Sequence, residues 1–125
     1  MKKKNNTVVP KPHIYRIDAE GKSIGRVASD IAFSVQGKRL VSFSPEKLAH
    51  VVVVVSNAGK VSTTGNKMND KLYHKYSGYP GGITTKNMDE LFKKDPEQLI
   101  IKVVRNMLPK NKLRPRMLKN IQFKK

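Results

Sequence analysis

The chain has 125 residues, enough for one domain with a modest core, and carries 26 lysines and arginines against 9 aspartates and glutamates, a formal net charge of +17. Such a charge repels itself in a compact state, so we expect a polyanionic partner, with nucleic acid the first candidate and an anionic membrane the second. The absence of cysteine excludes disulfides and thiolate metal sites, and no apolar run approaches the ~18 residues of a membrane span.

The chain begins with a predicted basic arm, residues 1–12, which has four lysines and two prolines and no apolar stretch typical of a secretory signal. Alternating apolar and polar residues over 13–18 then predict a short strand. The segment 24–35 repeats apolar residues at three- and four-residue spacing, which predicts an amphipathic helix. Ser23 is its expected N-cap, and Gly37 is its expected stop.

The tripeptide Gly21–Ser23 follows the first predicted strand and opens the helix, which is the position of a phosphate-binding loop. The full motif needs a glycine five residues before Gly21, where this chain has Arg16. Asp18 and Glu20 would also repel a triphosphate. We therefore interpret the tripeptide as a capped helix start, and an enzyme or regulator that binds a nucleotide at Lys22 is the less favoured alternative.

The middle of the chain changes character after five consecutive valines, Val51–Val55. This β-branched run predicts a strand buried on both faces, which requires helices on both sides of its sheet. A second short strand is predicted over 60–64. From 65 to 86 no periodicity is visible, so we predict a basic loop over 64–86, and a loop of that length within a domain is usually functional or disordered.

Two more helices are predicted in the remainder. The first covers 87–95 with Asn87 as its cap, and the second covers 96–108 with Pro96 at its first position. The last segment, 109–125, carries seven basic residues and no acidic one, so we interpret it as a basic tail. Strands interleaved with helices predict a small α/β layer fold in one domain, 1–125, with its core at 13–108.

The predicted loop holds the strongest candidate for binding, because it interleaves lysines with tyrosines: Lys67, Lys71, Tyr73, Lys75, Tyr76 and Tyr79. Lysines neutralise phosphates, and tyrosine rings stack on unpaired bases. In the hexapeptide SGYPGG, 77–82, glycines let backbone amides approach a bulky ligand while Pro80 fixes part of the bend. A solvated loop without a partner remains the alternative. Further basic stretches follow the two long predicted helices, at 37–39 and 108–116.

No pattern in the sequence predicts catalysis or metal binding. The histidines, His13, His50 and His74, are scattered without ligand spacing, although His74 could bond a phosphate or ribose. The acidic residues form no catalytic pair, and no nucleophile motif is present. We therefore predict a protein that is not an enzyme, with no cofactor, no metal and no small-molecule substrate.

Several motifs occur together in one order: IDAEGKSIGRVASDIA, GK, the valine run, TG-K, K-Y-SGYPGG and MLPKNKL. Over roughly 14–118 they resemble the bacterial-type large-subunit ribosomal protein L-thirteen family. The resemblance implies a three-layer α/β/α domain with a small, largely parallel sheet. It also implies binding to large-subunit ribosomal RNA, a part in subunit assembly, neighbouring large-subunit ribosomal proteins as secondary partners, and no catalytic role.

The resemblance and the basic stretches together give a set of residues expected to bind RNA: Lys38, Arg39, Thr64, Gly65, Asn66, Lys67, Lys71, Tyr73, His74, Lys75, Ser77, Gly78, Tyr79, Pro80, Gly81, Gly82, Arg105, Lys110, Asn111, Lys112, Arg114 and Arg116. The expected location is the cytoplasm, bound to ribosomes, with an organelle left open. A general nucleic-acid-binding protein outside the ribosome is the alternative function.

The chain departs from the family pattern at a few positions. Ala49-His50 replaces a usual Gly-Asp, Tyr76 replaces a histidine, Asn106 replaces a glycine, and Arg114-Pro115 stands where a glycine is usual. The family's C-terminal segment with its His-Pro-His motif has no counterpart in this sequence. These differences predict a divergent or shortened member and weaken the expected contacts near the C-terminus.

Overall fold

The computed structural model of the protein describes residues 11–124. Most of the predicted basic arm and the last lysine lie outside them. In chain order the elements are β1 (His13–Asp18), α1 (Ile24–Val35), β2 (Val51–Ser56), a 3-10 turn (Ala58–Lys60), α2 (Lys67–Asp70), β3 (Leu72–Tyr76), β4 (Ile83–Asn87), α3 (Met88–Lys94), α4 (Pro96–Met107), α5 (Arg114–Lys119) and β5 (Ile121–Lys124).

Three strands form a parallel sheet in the order β1-β2-β5, with the valine strand at its centre. In its register, Val53 pairs with Tyr15 on one side and with Ile121 on the other. The strands β3 and β4 form a separate antiparallel pair. The predicted α/β class with a small, largely parallel sheet is therefore confirmed.

The helices α1 and α4 pack directly against each other beside the sheet. The strands β1, β2 and β5 lie side by side in the order in which they occur in the chain. Right-handed crossovers between such strands place the connecting helices on the same side of the sheet, as is seen here. On β2, the alternate residues Val51, Val53 and Val55 are fully buried in the core. The core therefore lies between one face of the sheet and this helical layer.

The other face of the sheet is only partly covered. Val52 and Val54 are half-buried, and Ile14 on β1 is 59% exposed. The prediction that the valine strand is buried on both faces was therefore wrong. A run of β-branched residues favours a strand, but it does not reveal whether the neighbouring strands carry apolar residues on the same face. Here the neighbouring strands contribute Arg16 and Gln122, which lie on either side of Val54 in the register.

The predicted basic tail is partly folded, which corrects the interpretation of 109–125. It contains α5 and β5, and the latter pairs with the central strand. Met117 and Ile121 are buried, and Leu113 and Phe123 pack against the core from partly buried positions. The sequence interpretation failed here because lysines and arginines separate these apolar residues and dominate the composition.

Two central predictions also differ from the structure. Over 60–64 there is a 3-10 turn followed by a single bridge between Ser23 and Ser62, rather than a strand. The region predicted as a loop without regular structure contains α2 and the β3–β4 hairpin. The hairpin strands carry mixed polar residues on both faces, so they give no clear alternation in the sequence.

The predicted helix ends are confirmed by their hydrogen bonds. Asn87 Oδ1 accepts from the Glu90 amide at 2.9 Å, and Ser23 Oγ accepts from the Arg26 amide at 3.4 Å. Pro96 occupies the first turn of α4. Gly37 follows α1 with a φ of +80°, and a Cβ at this position would clash with the side chain of Ala49. Glycine is therefore required where the chain leaves α1.

We expect the Ile121→Ala variant to lower the free energy of unfolding by about 2–4 kcal/mol, because it removes buried methyl groups from β5. Urea denaturation followed by circular dichroism measures this change. Gln122→Ala is the matched control on the same strand, where the side chain is exposed, and its effect should stay within about 0.5 kcal/mol. Equal effects of the two variants would show that β5 does not belong to the cooperative core.

Candidate nucleic-acid interface

The hexapeptide SGYPGG is the connection of the β3–β4 hairpin. Strand pairing ends at Tyr76 and Ile83, and the six residues between them close the turn. The Ser77 amide donates to the Gly82 carbonyl at 3.0 Å, and the Gly82 amide donates to the Tyr79 carbonyl at 2.9 Å. Gly78 and Gly81 have φ values of +89° and +73°, a backbone conformation that favours glycine.

The hairpin has two unlike sides because successive side chains alternate across a strand. One side carries Tyr73 and Lys75 on β3, paired with Lys86 and Thr84 on β4, and these residues face α3 and α4 across a pocket. The opposite side carries apolar residues that are each more than half exposed: Leu72, Tyr76 and Ile83. The hairpin therefore offers both a cationic and an apolar surface.

The base of the hairpin is fixed to the core through the start of α3. Met88 is almost fully buried, and its amide donates to the Lys71 carbonyl at 3.0 Å. Farther along the strands, His74 Nδ1 and Thr85 Oγ1 lie 2.9 Å apart and form a cross-strand hydrogen bond. These contacts give the hairpin a defined position relative to the helices.

Tyr73 is the most constrained aromatic side chain of the hairpin. Its ring lies 5.7 Å from Lys71 Nζ and 5.9 Å from Lys102 Nζ, both within cation–π range. Its hydroxyl is buried and has no hydrogen-bond partner among residues 11–124. Burial raises the pKa of Tyr73 above its ordinary value, because the interior disfavours the phenolate. The side chain therefore stays neutral throughout the neutral pH range.

Few of the positive charges are neutralised within the protein. Among residues 11–124 there are two ion pairs, Lys60 Nζ–Glu20 Oε1 at 3.5 Å and Lys93 Nζ–Asp89 Oδ2 at 2.8 Å. The second pair raises the pKa of Lys93, chiefly through its hydrogen bond to Asp89. None of the lysines expected to bind RNA belongs to either pair. Their ammonium groups are therefore available to an external anion.

The expected RNA-binding residues fall into two groups at opposite edges of the sheet. The first group, 64–82, follows β2 and lies beyond the carboxyl ends of the strands. The second group lies toward the amino ends, because α1 and α4 run back from the carboxyl ends of the parallel strands and its members follow α1 or lie at or after the end of α4: Lys38, Arg39, Arg105, Lys110, Asn111, Lys112, Arg114 and Arg116. The structure thus does not bring all of them onto one surface.

Two members of the second group have contacts within the protein. The Arg39 guanidinium lies 5.5 Å from the Tyr15 ring centre and 5.8 Å from that of Phe33. Asn111 Oδ1 accepts from the amides of Leu113 and Arg114 at 3.0 and 3.1 Å. Asn111 therefore stabilises the turn before α5, which leaves only its amide group for another partner.

The structure adds residues that the sequence interpretation did not include. Lys86, Lys94 and Lys102 join Lys75 around a pocket of about 430 Å³ between the hairpin and the helices α3 and α4. In the sequence, Lys86 ends the predicted loop, while Lys94 and Lys102 lie on polar helix faces, which usually contact only solvent. Only the position of the hairpin brings the four lysines together, so no sequence signal could have grouped them.

The part of the chain that the structure describes offers neither a metal site nor a membrane span. Among residues 11–124, no three side chains of histidine, aspartate or glutamate come close enough together to hold a metal ion. Within the same residues, every helix is too short or too polar to cross a membrane.

Comparison with known proteins gives a consistent match. The family described as ribosomal protein L13 matches residues 12–123. Large ribosomal subunit protein uL13 of Syntrophotalea carbinolica is 48% identical over 103 residues, which cover 82% of this chain and 72% of the relative. The protein of the same name from Aeromonas salmonicida is 40% identical over 121 residues, covering 93% and 85%. That of Geobacter sulfurreducens is 44% identical over 108 residues, covering 86% and 76%.

We expect the Gly82→Ala variant to open the hairpin turn, because its Cβ would lie 2.9 Å from the Tyr79 carbonyl oxygen and also meet Ser77 Oγ. Hydrogen exchange at the Ser77 amide should become about tenfold faster, which corresponds to a loss of about 1.4 kcal/mol in the free energy of local opening. The control is Gly25→Ala in α1, where an added Cβ meets nothing within 4 Å. Alanine there favours the helix by about 1 kcal/mol relative to glycine, so exchange at the Ser77 amide should not become faster. An unchanged exchange rate in Gly82→Ala would contradict this turn geometry.

Ionisation of Tyr73 should require a higher pH than that of an exposed tyrosine, because burial raises its pKa. A phenol whose pKa is raised on folding stabilises the fold below its ordinary pKa, and that stabilisation is lost as pH rises through the folded value. Tyrosinate absorbance during an alkaline titration measures this step. The Tyr73→Phe variant should lack the tyrosine ionisation that occurs at the highest pH. It should be no less stable at neutral pH, since it removes a buried hydroxyl that has no hydrogen-bond partner. A late step that persists would reject the assignment.

Proposed function

The chain belongs to the ribosomal protein L13 family, whose members are structural components of the ribosome and not enzymes, and we propose that it binds large-subunit ribosomal RNA and helps the subunit to assemble. The relatives are named as proteins of the large ribosomal subunit, which supports the same location for this chain. The proposed location of this bacterial-type protein is the cytoplasm, where it is bound to the ribosome.

The observation that carries the RNA-binding proposal is the excess of lysines without carboxylate partners around the hairpin. Lys67 and Lys75 are exposed and belong to neither ion pair found in residues 11–124. Lysines in this state bind phosphates by displacing the counterions that surround a nucleic acid. Lys75 lies on β3 and Lys67 begins α2, and the Met88 amide donates to the Lys71 carbonyl between these two elements, so the charges are presented in a fixed arrangement.

The division of the basic residues between two edges supports a part in assembly. One group follows the carboxyl end of β2, and the other precedes β2 and β5 at the amino ends. A rigid domain with cationic groups at both ends can bind two RNA segments and hold them at a fixed separation. Such bridging would reduce the repulsion between phosphates that opposes compaction of the RNA.

The apolar side of the hairpin supplies a different kind of contact. Tyr76 and Ile83 lie exposed next to the turn at 77–82, and Leu72 lies exposed at the base of the hairpin. Aromatic and apolar side chains stack on unpaired bases or pack against neighbouring proteins. This side of the hairpin is therefore the proposed contact for an unpaired RNA segment or an adjacent ribosomal protein.

We expect the double variant Lys67→Ala/Lys75→Ala to weaken binding to large-subunit ribosomal RNA and to flatten its salt dependence. The slope of log K against log salt should fall by about 0.7–0.9 for each phosphate that the variant no longer neutralises. Filter binding at several salt concentrations measures this slope. Lys71 is kept, because its ammonium group contacts the Tyr73 ring and its removal would alter the hairpin itself.

The control is Lys60→Ala/Lys93→Ala, which removes the same formal charge from lysines that already have a carboxylate partner. Its slope should stay close to that of the unchanged protein. Equal slopes for the two double variants would mean that Lys67 and Lys75 face only solvent. Large subunits that are complete without the protein would reject the ribosomal assignment as a whole.

A further inference from the structure

A pocket lies between the hairpin and the helices α3 and α4, beside the charged surface. Its volume of about 430 Å³ falls within the range of small-ligand sites. The accessible apolar part of its wall comes from Leu91 and the ring of Tyr73, with the buried Leu99 behind them. Lys75, Lys86, Lys94 and Lys102 also line it, and we call it the lysine pocket.

The charge of the lysine pocket is not balanced by the protein. Four lysines line it, and Asp95 is the only acidic residue among the lining residues. That carboxylate is already engaged, because Asp95 Oδ1 accepts from the amides of Glu97 and Gln98 at 3.1 and 3.4 Å as the cap of α4. None of the four lysines forms an ion pair within residues 11–124. Like charges gathered in a concave site attract an anion strongly.

The lining also selects the kind of anion. A bare phosphate would use the lysines but leave Leu91 and the Tyr73 ring exposed, and a paired RNA strand is too wide to enter a pocket of this volume. A single unpaired nucleotide has a flat base or ribose to cover the apolar wall and a phosphate for the ammonium groups. Thr84 and Gln98 add hydrogen-bonding groups that can contact the edge of a base.

We propose that the lysine pocket takes one unpaired nucleotide of the bound RNA, with its base or ribose against Leu91 and the Tyr73 ring and its phosphate among the lysines. This inference rests on the proposed RNA-binding function and assigns a specific site within it. The site is formed by residues of the hairpin and of both helices, so its shape depends on the hairpin position. It is separate from the turn at 77–82, which lies at the far end of the hairpin.

The first experiment measures occupancy directly in the full chain. A short single-stranded oligoribonucleotide is titrated into protein whose leucine methyl groups are labelled for NMR. The Leu91 methyl resonances should shift with the same saturation curve as the binding itself. Inorganic phosphate and a double-stranded RNA of equal length should not reproduce the shift. Equal shifts with either of these, or no shift with the oligonucleotide, would overturn the proposal.

The second experiment compares affinities of matched variants for the same oligonucleotide. Lys94→Gln/Lys102→Gln should bind about tenfold more weakly, since the phosphate of the bound nucleotide loses two of its cationic partners. Lys60→Gln/Lys93→Gln removes the same formal charge from ion-paired lysines and should change affinity by less than about twofold. Gln98→Phe fills the pocket without a change of charge, and it should also weaken binding. Similar affinities in all three variants would overturn the proposal.

Failure of this inference can be told apart from failure of the proposed function. If Lys67→Ala/Lys75→Ala weakens RNA binding while Lys94→Gln/Lys102→Gln and Gln98→Phe do not, the protein binds RNA without using the pocket. If the unchanged protein shows no salt-dependent affinity for ribosomal RNA, the proposed function itself fails. Circular dichroism of each variant before binding excludes loss of the fold as the cause.

Discussion

Val51, Val53 and Val55 project from the central strand into the layer formed by α1 and α4, and this contact positions the rest of the molecule. The two helices can share one side of the sheet only because β1, β2 and β5 lie side by side in chain order. Burial of that face fixes α4, α3 leads into α4, and the hairpin is joined to α3 at Met88. The location of the charged residues is therefore a consequence of apolar packing.

The excess of positive charge acts against the same packing. Two ion pairs among residues 11–124 leave most lysines without a carboxylate neighbour, and repulsion between them opposes the compact state. A bound polyanion would remove that repulsion and add favourable contacts, so RNA binding and folding stability should be coupled. Folding stability and RNA binding would then depend on each other through electrostatic interactions.

The sequence predicted those parts of the fold where a local pattern is undisturbed. The helices α1 and α4 repeat apolar residues with helical spacing, and Ser23, Asn87 and Pro96 mark helix ends by their own chemistry. The hairpin was missed because polar residues lie on both of its faces, and β5 was missed because its apolar residues alternate with polar ones and its pairing partner is distant in the sequence. The lysine pocket could not be predicted, since it joins side chains from three elements whose relative position only the packed core determines.

The position of β5 in the chain also affects how the protein folds. Its pairing partner β2 is synthesised long before it, and the two are joined through a hairpin and helices. Until β5 is synthesised, one side of the valine strand has no partner, and an unpaired apolar strand edge promotes association between chains. The mutual repulsion of strongly cationic nascent chains would oppose this association, so the excess of lysines would also protect the protein during its own synthesis.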